Sequence, residues 1–249
     1  VEGRALQELS SLPQVVGGID AASTAAANEL FSHLGVEIVE VGNTKAAEFT
    51  KLVSNTWRDL QFGFANELAY LADASGVDIY EVITAAGYKY DRLKLALPGP
   101  VAGPCLEKDA YILADSAQFF DTEVPLSLAG RSANEKIVTH VGQTAQVLID
   151  QPQRAAIIGL AFKGRPATSD TRGSLAGNFA GRFRELWPAL DIVGWDPLVS
   201  PEDSAEMNIT FTHLPEAVSG ANLVLLQSNH PDFTSEQFVE VLAANIPDG

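Results

Sequence analysis

Residues 154–186 read RAAIIGLAFKGRPATSDTRGSLAGNFAGRFREL, and this stretch decides the fold of the chain. It begins with a short, almost continuously apolar run, which is typical of a strand buried on both faces of a sheet. A polar loop follows, and then apolar residues recur three and four positions apart, as they do on one face of a helix. A strand, a loop and a helix in this order predict a parallel α/β sheet with crossover helices.

The segments that follow continue this alternation. We predict strands at LDIVGWDP (190–197), MNITFT (207–212) and ANLVLLQS (221–228), a helix between the last two, and a further helix from about Thr234. The stretch QPQ at 151–153 breaks the preceding pattern. Residues 151–249 are therefore predicted to form one parallel-sheet domain.

The preceding part of the chain is predicted to be helical. Residues 44–74 carry apolar residues at helical spacing with no proline, which indicates a long helix. Shorter helices are predicted at 77–87 and 106–120, and residues 124–150 are predicted to form one more long helix. Residues 43–150 are thus expected to be an all-helical domain. Residues 1–42 are expected to be the end of a domain that begins before this chain, with a strand, a helix and a half-buried strand.

Composition excludes several classes of protein. The chain has 249 residues and a net charge of −16, with 16 Lys and Arg dispersed among 32 Asp and Glu, so the basic footprint of a nucleic-acid-binding protein is absent. No apolar run approaches the roughly 18 residues of a membrane span, and no signal peptide is apparent. A single cysteine suits a reducing compartment. We expect a cytoplasmic protein that binds neither nucleic acid nor membrane. Because the chain lacks an initial methionine, we also expect it to be a piece of a longer protein.

Cys105 is the first candidate for chemistry. It follows Gly103-Pro104 and precedes a predicted helix, whose amino-terminal amides and dipole lower the pKa of a thiol. Asp109 lies one turn along the same helix face. The alternative is that Cys105 is a small buried hydrophobe, as a free cysteine usually is.

Two further regions carry candidate groups. Lys51 and Asn55 are four residues apart on the long helix, where an ammonium and an amide can stabilise an oxyanion; a solvated helix face is the alternative for Lys51. The loop 163–174 contains three cations at the carboxyl edge of a predicted strand, where open α/β sheets bind ligands, and these cations suit phosphate oxygens. The four histidines are scattered without the spacing of metal ligands, so no metal site is expected.

Four motifs follow one another in an order that resembles a known family. They are EFTKLVSNTWRDLQFGFANELAYLA, PGPVAGPCLEKDAYIL, IIGLAFKGRPATSDTRGS and GWDP, and together they resemble the UDP-glucose/GDP-mannose dehydrogenase family. The resemblance implies an N-terminal NAD-binding Rossmann domain that is largely missing and ends at 1–42. It further implies a central domain at 43–150 that forms a homodimer through the long helix, and a truncated, Rossmann-like UDP-sugar-binding domain at 151–249.

The resemblance also implies an activity. Members oxidise the C6 hydroxyl of a nucleotide sugar to a uronic acid in two NAD-dependent steps, through an aldehyde captured by a cysteine and a thioester that is hydrolysed. Cys105 matches the nucleophile, Lys51 and Asn55 match the pair that stabilises the oxyanion, and Asp109 matches the carboxylate that assists proton transfer. This chain alone is expected to be inactive.

Further positions follow from the same resemblance. Candidate substrate-binding residues are Arg92, Pro98, Gly99, Gly103, Phe162, Lys163 and Glu2, and candidate cofactor-binding residues are Lys108 and Arg172. The family's G-x-G-G-x-C pattern is replaced here by PVAGPC (100–105). This difference leaves two candidate substrates, a UDP-N-acetylhexosamine and UDP-glucose, and the PG…GPC form favours the first. Two alternatives remain: a nucleotide-sugar-binding homologue without catalysis, and a relative of the hydroxyacid or 6-phosphogluconate dehydrogenases, which use no cysteine.

Overall fold

A parallel strand pair forms the first part of the computed structural model, in which residues 5–246 are described. The elements are α1 (Ala5–Leu9), β1 (Gln14–Val16), α2 (Ala21–Ser32) and β2 (Ile38–Glu40). β1 pairs with β2 in parallel, with Gln14 opposite Ile38. Asp20 starts α2, because its carboxylate accepts a hydrogen bond from the amide of Ser23. The result is a strand–helix–strand unit, as the sequence predicts.

A group of helices forms the middle of the chain. They are α3 (Thr44–Ser75), α4 (Ile79–Gly87), α5 (Leu106–Phe119), α6 (Pro125–Glu135) and α7 (Ile137–Leu148). The 32-residue α3 begins after Asn43, whose side chain accepts from the amide of Ala46, and ends at Gly76 in the left-handed conformation with φ 71°. α5 and α6 both pack against α3. Within residues 5–246 no helix combines the length and apolar composition that a bilayer crossing requires.

The predicted single helix over residues 124–150 is wrong, because the structure has two helices separated at Lys136. Tyr70 of α3 donates its hydroxyl to the carbonyl oxygen of Ala133 at 3.0 Å. In an uninterrupted helix that oxygen would accept from the amide of Ile137. The oxygen of Ala133 thus accepts from the hydroxyl of Tyr70 where α6 ends, and α7 begins at Ile137.

The last part of the chain is a four-stranded parallel sheet. Its elements are β3 (Arg154–Ile158), α8 (Ala176–Leu186), β4 (Asp191–Trp195), α9 (Pro201–Glu206), β5 (Thr210–Phe211), β6 (Leu223–Leu226) and α10 (Glu236–Asn245). The strand order is β5-β4-β3-β6, which confirms the predicted α/β class. The order reverses between β3 and β6, and ligands of open α/β sheets bind beside such a reversal.

Two details of this part differ from prediction. The helix expected between the strands at 207–212 and 221–228 is absent; residues 214–220 form consecutive turns that end at Gly220 with φ 67°. The structure instead has α9, where we predicted no helix. Ser200 caps it by accepting from the amide of Asp203, and Pro201 occupies the first turn. Serine followed by proline is a recognisable helix start that could have revealed α9.

The backbones of α3 and α6 touch at two glycines. A Cβ atom at Gly63 would overlap the carbonyl group of Gly130, and it would lie 2.8 Å from the Cα atom of Gly130. A Cβ atom at Gly130 would lie 2.8 Å from Cδ1 of Leu60. Glycine is therefore required at this contact by close approach and not by its backbone angles.

We expect Gly63→Ala to lower the free energy of unfolding by about 1–3 kcal/mol, because the added methyl group must force α3 and α6 apart. Gly181→Ala is the matched control, since a Cβ there meets nothing within 4 Å on the exposed face of α8. The free energy of unfolding of Gly181→Ala should rise by roughly 0.5–1 kcal/mol, because alanine has a higher helix propensity than glycine. Thermal and urea unfolding would measure both variants, and equal stability of the two would contradict the close contact.

Candidate active site

Cys105 lies at the amino terminus of α5 with an exposed, free thiol. Its carbonyl oxygen accepts hydrogen bonds from the amides of Lys108 at 3.2 Å and Asp109 at 3.0 Å, so the first turn of α5 is built on the cysteine. The thiol therefore lies at the amino terminus of α5. The alternative of a buried, inert cysteine is excluded by this exposure.

Asp109 and Asn55 meet in the protein interior although 54 residues separate them in sequence. Asn55 of α3 donates from Nδ2 to Oδ2 of Asp109 at 2.5 Å, and both residues are buried. Lys108 donates from Nζ to the other carboxylate oxygen, Oδ1, at 2.8 Å. This hydrogen bond and the carboxylate charge raise the pKa of Lys108 above 10.5, with a smaller contribution from Cys105. Three of the predicted site residues are thus joined one turn from the thiol.

Lys51 is exposed one helical turn before Asn55. Within residues 5–246 it makes no hydrogen bond or ion pair, so the structure does not bring it to Asp109. Its position at i−4 places it beside Asn55 on the surface of α3. Its role as a cation for an oxyanion remains a prediction.

The loop before Cys105 packs against the loop after β3. Gly103 has φ 104°, and a Cβ atom there would lie 2.7 Å from Cδ2 of Phe162. Its amide also donates to the carbonyl oxygen of Gly173 at 3.0 Å. The altered glycine pattern therefore keeps a glycine where both the backbone angle and the aromatic ring demand one.

A cavity of about 660 Å³ lies between this loop and the sheet. Four predicted substrate-binding residues line it: Pro98, Gly99, Phe162 and Lys163. Its other wall is formed by residues 226–229, the last residue of β6 and the three that follow it. The cavity is therefore at the carboxyl ends of β3 and β6, where the strand order reverses. Cys105 is adjacent to it through Leu106, which is a lining residue.

The cavity is positively charged although the chain is acidic. Its lining includes Arg58, Lys163 and Arg165, and no Asp or Glu is among the described lining residues. Such a set suits phosphate oxygens. Sequence reasoning did not single out Arg58 or Tyr80 as site residues. The only signal for Arg58 is its position three residues after Asn55 on the same helix.

Other predicted residues lie elsewhere. Arg92 is positioned over the ring of Tyr90, with its Cζ 5.1 Å from the centroid, and does not line the cavity. Arg172 is exposed and pairs with Asp170 at 2.9 Å. Its loop lies against the first turn of α5, since a Cβ at the next residue, Gly173, would be 2.7 Å from the carboxylate of Glu107. Lys108 and Arg172 are thus on neighbouring segments. Glu2 lies outside the described residues.

Several known proteins are similar to this chain. Residues 45–136 match the central domain of the UDP-glucose/GDP-mannose dehydrogenase family. The chain is 31% identical over 243 residues to UDP-N-acetyl-D-mannosamine dehydrogenase of Pyrococcus horikoshii, covering 94% of this chain and 54% of that protein. It is 31% identical over 242 residues to UDP-N-acetyl-D-glucosamine 6-dehydrogenase of Pseudomonas aeruginosa, covering 92% and 55% respectively.

Solved structures show the same similarity. The structure of UDP-D-ManNAc dehydrogenase from Pyrococcus horikoshii superposes with a TM-score of 0.82 at 30% identity, over 99% of this chain and 56% of that chain. The NDP-N-acetyl-D-galactosaminuronic acid dehydrogenase of Methanosarcina mazei gives a TM-score of 0.79 at 26% identity, over 97% and 54%. Residues 45–136 therefore correspond to the central domain of the UDP-glucose/GDP-mannose dehydrogenase family. The chain spans about half the length of the curated relatives it matches.

We expect Asp109→Asn to move the pKa of Lys108 back toward 10.5, because the charged acceptor is removed. A raised folded-state pKa means that this contact stabilises the fold below pH 10.5 and that the contribution disappears as pH rises through the raised value. NMR titration of 13C-labelled lysine would measure the shift. Glu107→Gln, on the same turn, is the control and should leave Lys108 unchanged; an unchanged pKa in Asp109→Asn would contradict the assignment.

Proposed function

We propose that the whole protein is an NAD-dependent nucleotide-sugar 6-dehydrogenase that oxidises the C6 hydroxyl of a UDP-N-acetylhexosamine to the uronic acid. The observation that carries this proposal is the contact between Asn55 and Asp109 one turn from the exposed thiol of Cys105. The cation-lined cavity, whose wall includes Leu106 next to Cys105, supports it. The match of residues 45–136 to the central domain of the UDP-glucose/GDP-mannose dehydrogenase family supports the same reaction class.

The substrate is oriented by the two walls of the cavity. Arg58, Lys163 and Arg165 attract the diphosphate, and the loop that contains Gly99 and Gly103 lies beside the sugar. This arrangement directs C6 toward Cys105. The two relatives at 31% identity carry names that specify UDP-N-acetyl sugars, which favours a UDP-N-acetylhexosamine over UDP-glucose.

The thiol holds the carbon that is oxidised. NAD, when bound, accepts a hydride in each of the two oxidations. Between them the Sγ of Cys105 adds to the C6 aldehyde to give a thiohemiacetal, whose oxidation leaves a thioester. Water then cleaves the thioester, which releases the uronic acid and restores the thiol. Asp109, one turn along α5, takes the proton from the attacking thiol and passes it to the hemiacetal oxygen; later it takes a proton from the attacking water and returns it to the leaving thiolate.

The developing oxyanion is stabilised from α3. The amide of Asn55 has two N–H donors, and Asp109 uses one of them. The second donor is available to the oxyanion, and Lys51, one turn earlier, contributes positive charge. Asp109 therefore serves both as a proton acceptor and as the group that orients Asn55.

The residues present fit a dinucleotide cofactor. Lys108 and Arg172 are both exposed cations, and their two segments are in contact near Glu107 and Gly173. Cations on adjoining segments suit the phosphates of NAD. Lys108 is also held by Asp109, so the cofactor-facing side and the thiol side of α5 share one carboxylate.

We expect Cys105→Ser in the full-length protein to lose uronic acid production by roughly three orders of magnitude or more, because the aldehyde is no longer captured by a thiolate. Mass spectrometry of the product and NADH absorbance with a panel of UDP-sugars would measure this. Ser116→Ala on the remote part of α5 is the control and should retain activity. The wild type should release two NADH per uronic acid.

Several results would sink this proposal. Full activity of Cys105→Ser would show that Cys105 is not the nucleophile. One NADH per substrate would favour the hydroxyacid dehydrogenase type, and binding of UDP-sugars without oxidation would favour a non-catalytic homologue.

We also propose that two copies of the chain pair through α3. Five apolar side chains are exposed on this helix: Phe49, Val53, Trp57, Phe64 and Leu71. At 100° per residue their spacing places them within about 80° of arc, so they form one stripe. A stripe along one helix can pair with the same stripe of a second copy related by a twofold axis.

We expect Leu71→Glu to convert this dimer to monomers, because it places a charge in an apolar interface. Leu71 is 66% exposed in the single chain, so the substitution should not unfold it. Light scattering after size exclusion would measure the mass. Val147→Glu, at an 87% exposed position on α7, is the control and should remain dimeric; a dimeric Leu71→Glu would contradict the assignment.

A further inference from the structure

A buried asparagine holds the start of the loop that leads to the thiol. Asn66 of α3 is fully buried, and its Oδ1 accepts from the amide of Gly99 at 2.7 Å while its Nδ2 donates to the carbonyl oxygen of Gly99 at 3.1 Å. Two hydrogen bonds to both backbone groups of one residue fix its position and orientation. Gly99 lines the cavity, so Asn66 sets where this wall lies.

The same side chain begins a hydrogen-bonded chain that ends next to Cys105. Asn66 donates to Oδ1 of Asn134 at 2.8 Å, and Asn134 donates from Nδ2 to the carboxylate of Asp59 at 2.8 Å. Arg131 donates from Nη1 both to Asp59 at 3.0 Å and to the carbonyl oxygen of Leu106 at 3.1 Å. All four side chains are buried.

The network therefore holds both ends of residues 99–105, which we call the thiol loop. Asn66 holds Gly99 at its start, and Arg131 holds Leu106, the residue after Cys105. The loop has little backbone hydrogen bonding to offer, because Pro100 and Pro104 have no N–H. Apart from the hydrogen bond from the amide of Gly103 to Gly173, side chains of the surrounding helices hold its two ends.

Electrostatics keep this network in one arrangement. Burial raises the pKa of Asp59, while the guanidinium of Arg131 and the amide of Asn134 oppose that rise. Removing any one partner would leave another polar group buried without its hydrogen bond, which is costly in a low-dielectric interior. The alternative arrangements of the loop are disfavoured for this reason.

We propose that Asn66 and Arg131 are positioning residues for the thiol chemistry: Asn66 sets the sugar-facing wall of the cavity, and Arg131 sets the start of α5 and the direction of Cys105. The proposal rests on the proposed function for its effect on turnover. Its effects on ligand affinity and on thiol reactivity can be measured without turnover.

The test compares Asn66→Ala and Arg131→Lys in the full-length protein. For Asn66→Ala we expect KM and Kd for the UDP-N-acetylhexosamine to rise at least tenfold, with kcat changed less than threefold. For Arg131→Lys, which keeps a buried cation but loses the fork that bridges Asp59 and Leu106, we expect iodoacetamide alkylation of Cys105 to slow at least threefold, with KM unchanged. A purely structural role would lower the active fraction in both variants without this split.

Asn222→Ala is the matched control. Asn222 also holds backbone, since its Oδ1 accepts from the amides of Gln153 and Arg154, but it does so at the amino end of β3, away from the cavity. It should lower the melting temperature and leave KM, Kd and alkylation within twofold of wild type.

Three outcomes would overturn the proposal: Kd of Asn66→Ala within twofold of wild type, alkylation of Arg131→Lys at the wild-type rate, or equal effects from Asn222→Ala. If Asn66→Ala does not fold, the proposal stands or falls on the alkylation rate of Arg131→Lys. A wild type that binds the nucleotide sugar without oxidising it would refute the proposed function and still leave Kd and alkylation to decide this inference.

Discussion

The buried ion pair between Asp59 and Arg131 is the interaction on which the site depends. It connects α3 to α6, and through the carbonyl oxygen of Leu106 it connects both to the start of α5. A buried ion pair is seldom more stabilising than well-packed apolar side chains, but breaking one costs about 3–5 kcal/mol, because a charge is left uncompensated. Its value to this protein is therefore geometric: it defines one arrangement of three helices.

The sheet completes the site because its loops reach the helices at a few close contacts. Gly103 approaches the ring of Phe162, and its amide bonds to Gly173 beyond the same loop. The lining of the cavity accordingly combines residues 97–102 and Leu106 from the helical part with Phe162, Lys163, Arg165 and residues 226–229 from the sheet part. The cavity is therefore lined by groups that come together only when both parts are folded, and its lining carries cations although the chain as a whole is acidic.

Periodicity made much of this predictable. The apolar spacing of residues 44–74 and the apolar run at 154–162 predict α3, β3 and the α/β class, and a four-residue spacing predicts that Cys105 and Asp109 share one helix face. Long-range contacts were not predictable in the same way: next to the break at Lys136, the oxygen of Ala133 accepts from Tyr70, which lies 63 residues earlier in the chain. Arg58 was not predicted as a site residue, because helical periodicity alone does not show which polar side chain faces a cavity.

The hydrogen bond from Tyr70 to Ala133, at the end of α6, persists over a wide range of pH. Burial raises the pKa of Tyr70 to about 12, so its hydroxyl keeps its proton throughout the physiological range. A phenolate could not donate to Ala133, so this hydrogen bond requires the protonated hydroxyl. The link that it makes between α3 and the end of α6 is consequently insensitive to ordinary changes in cellular acidity.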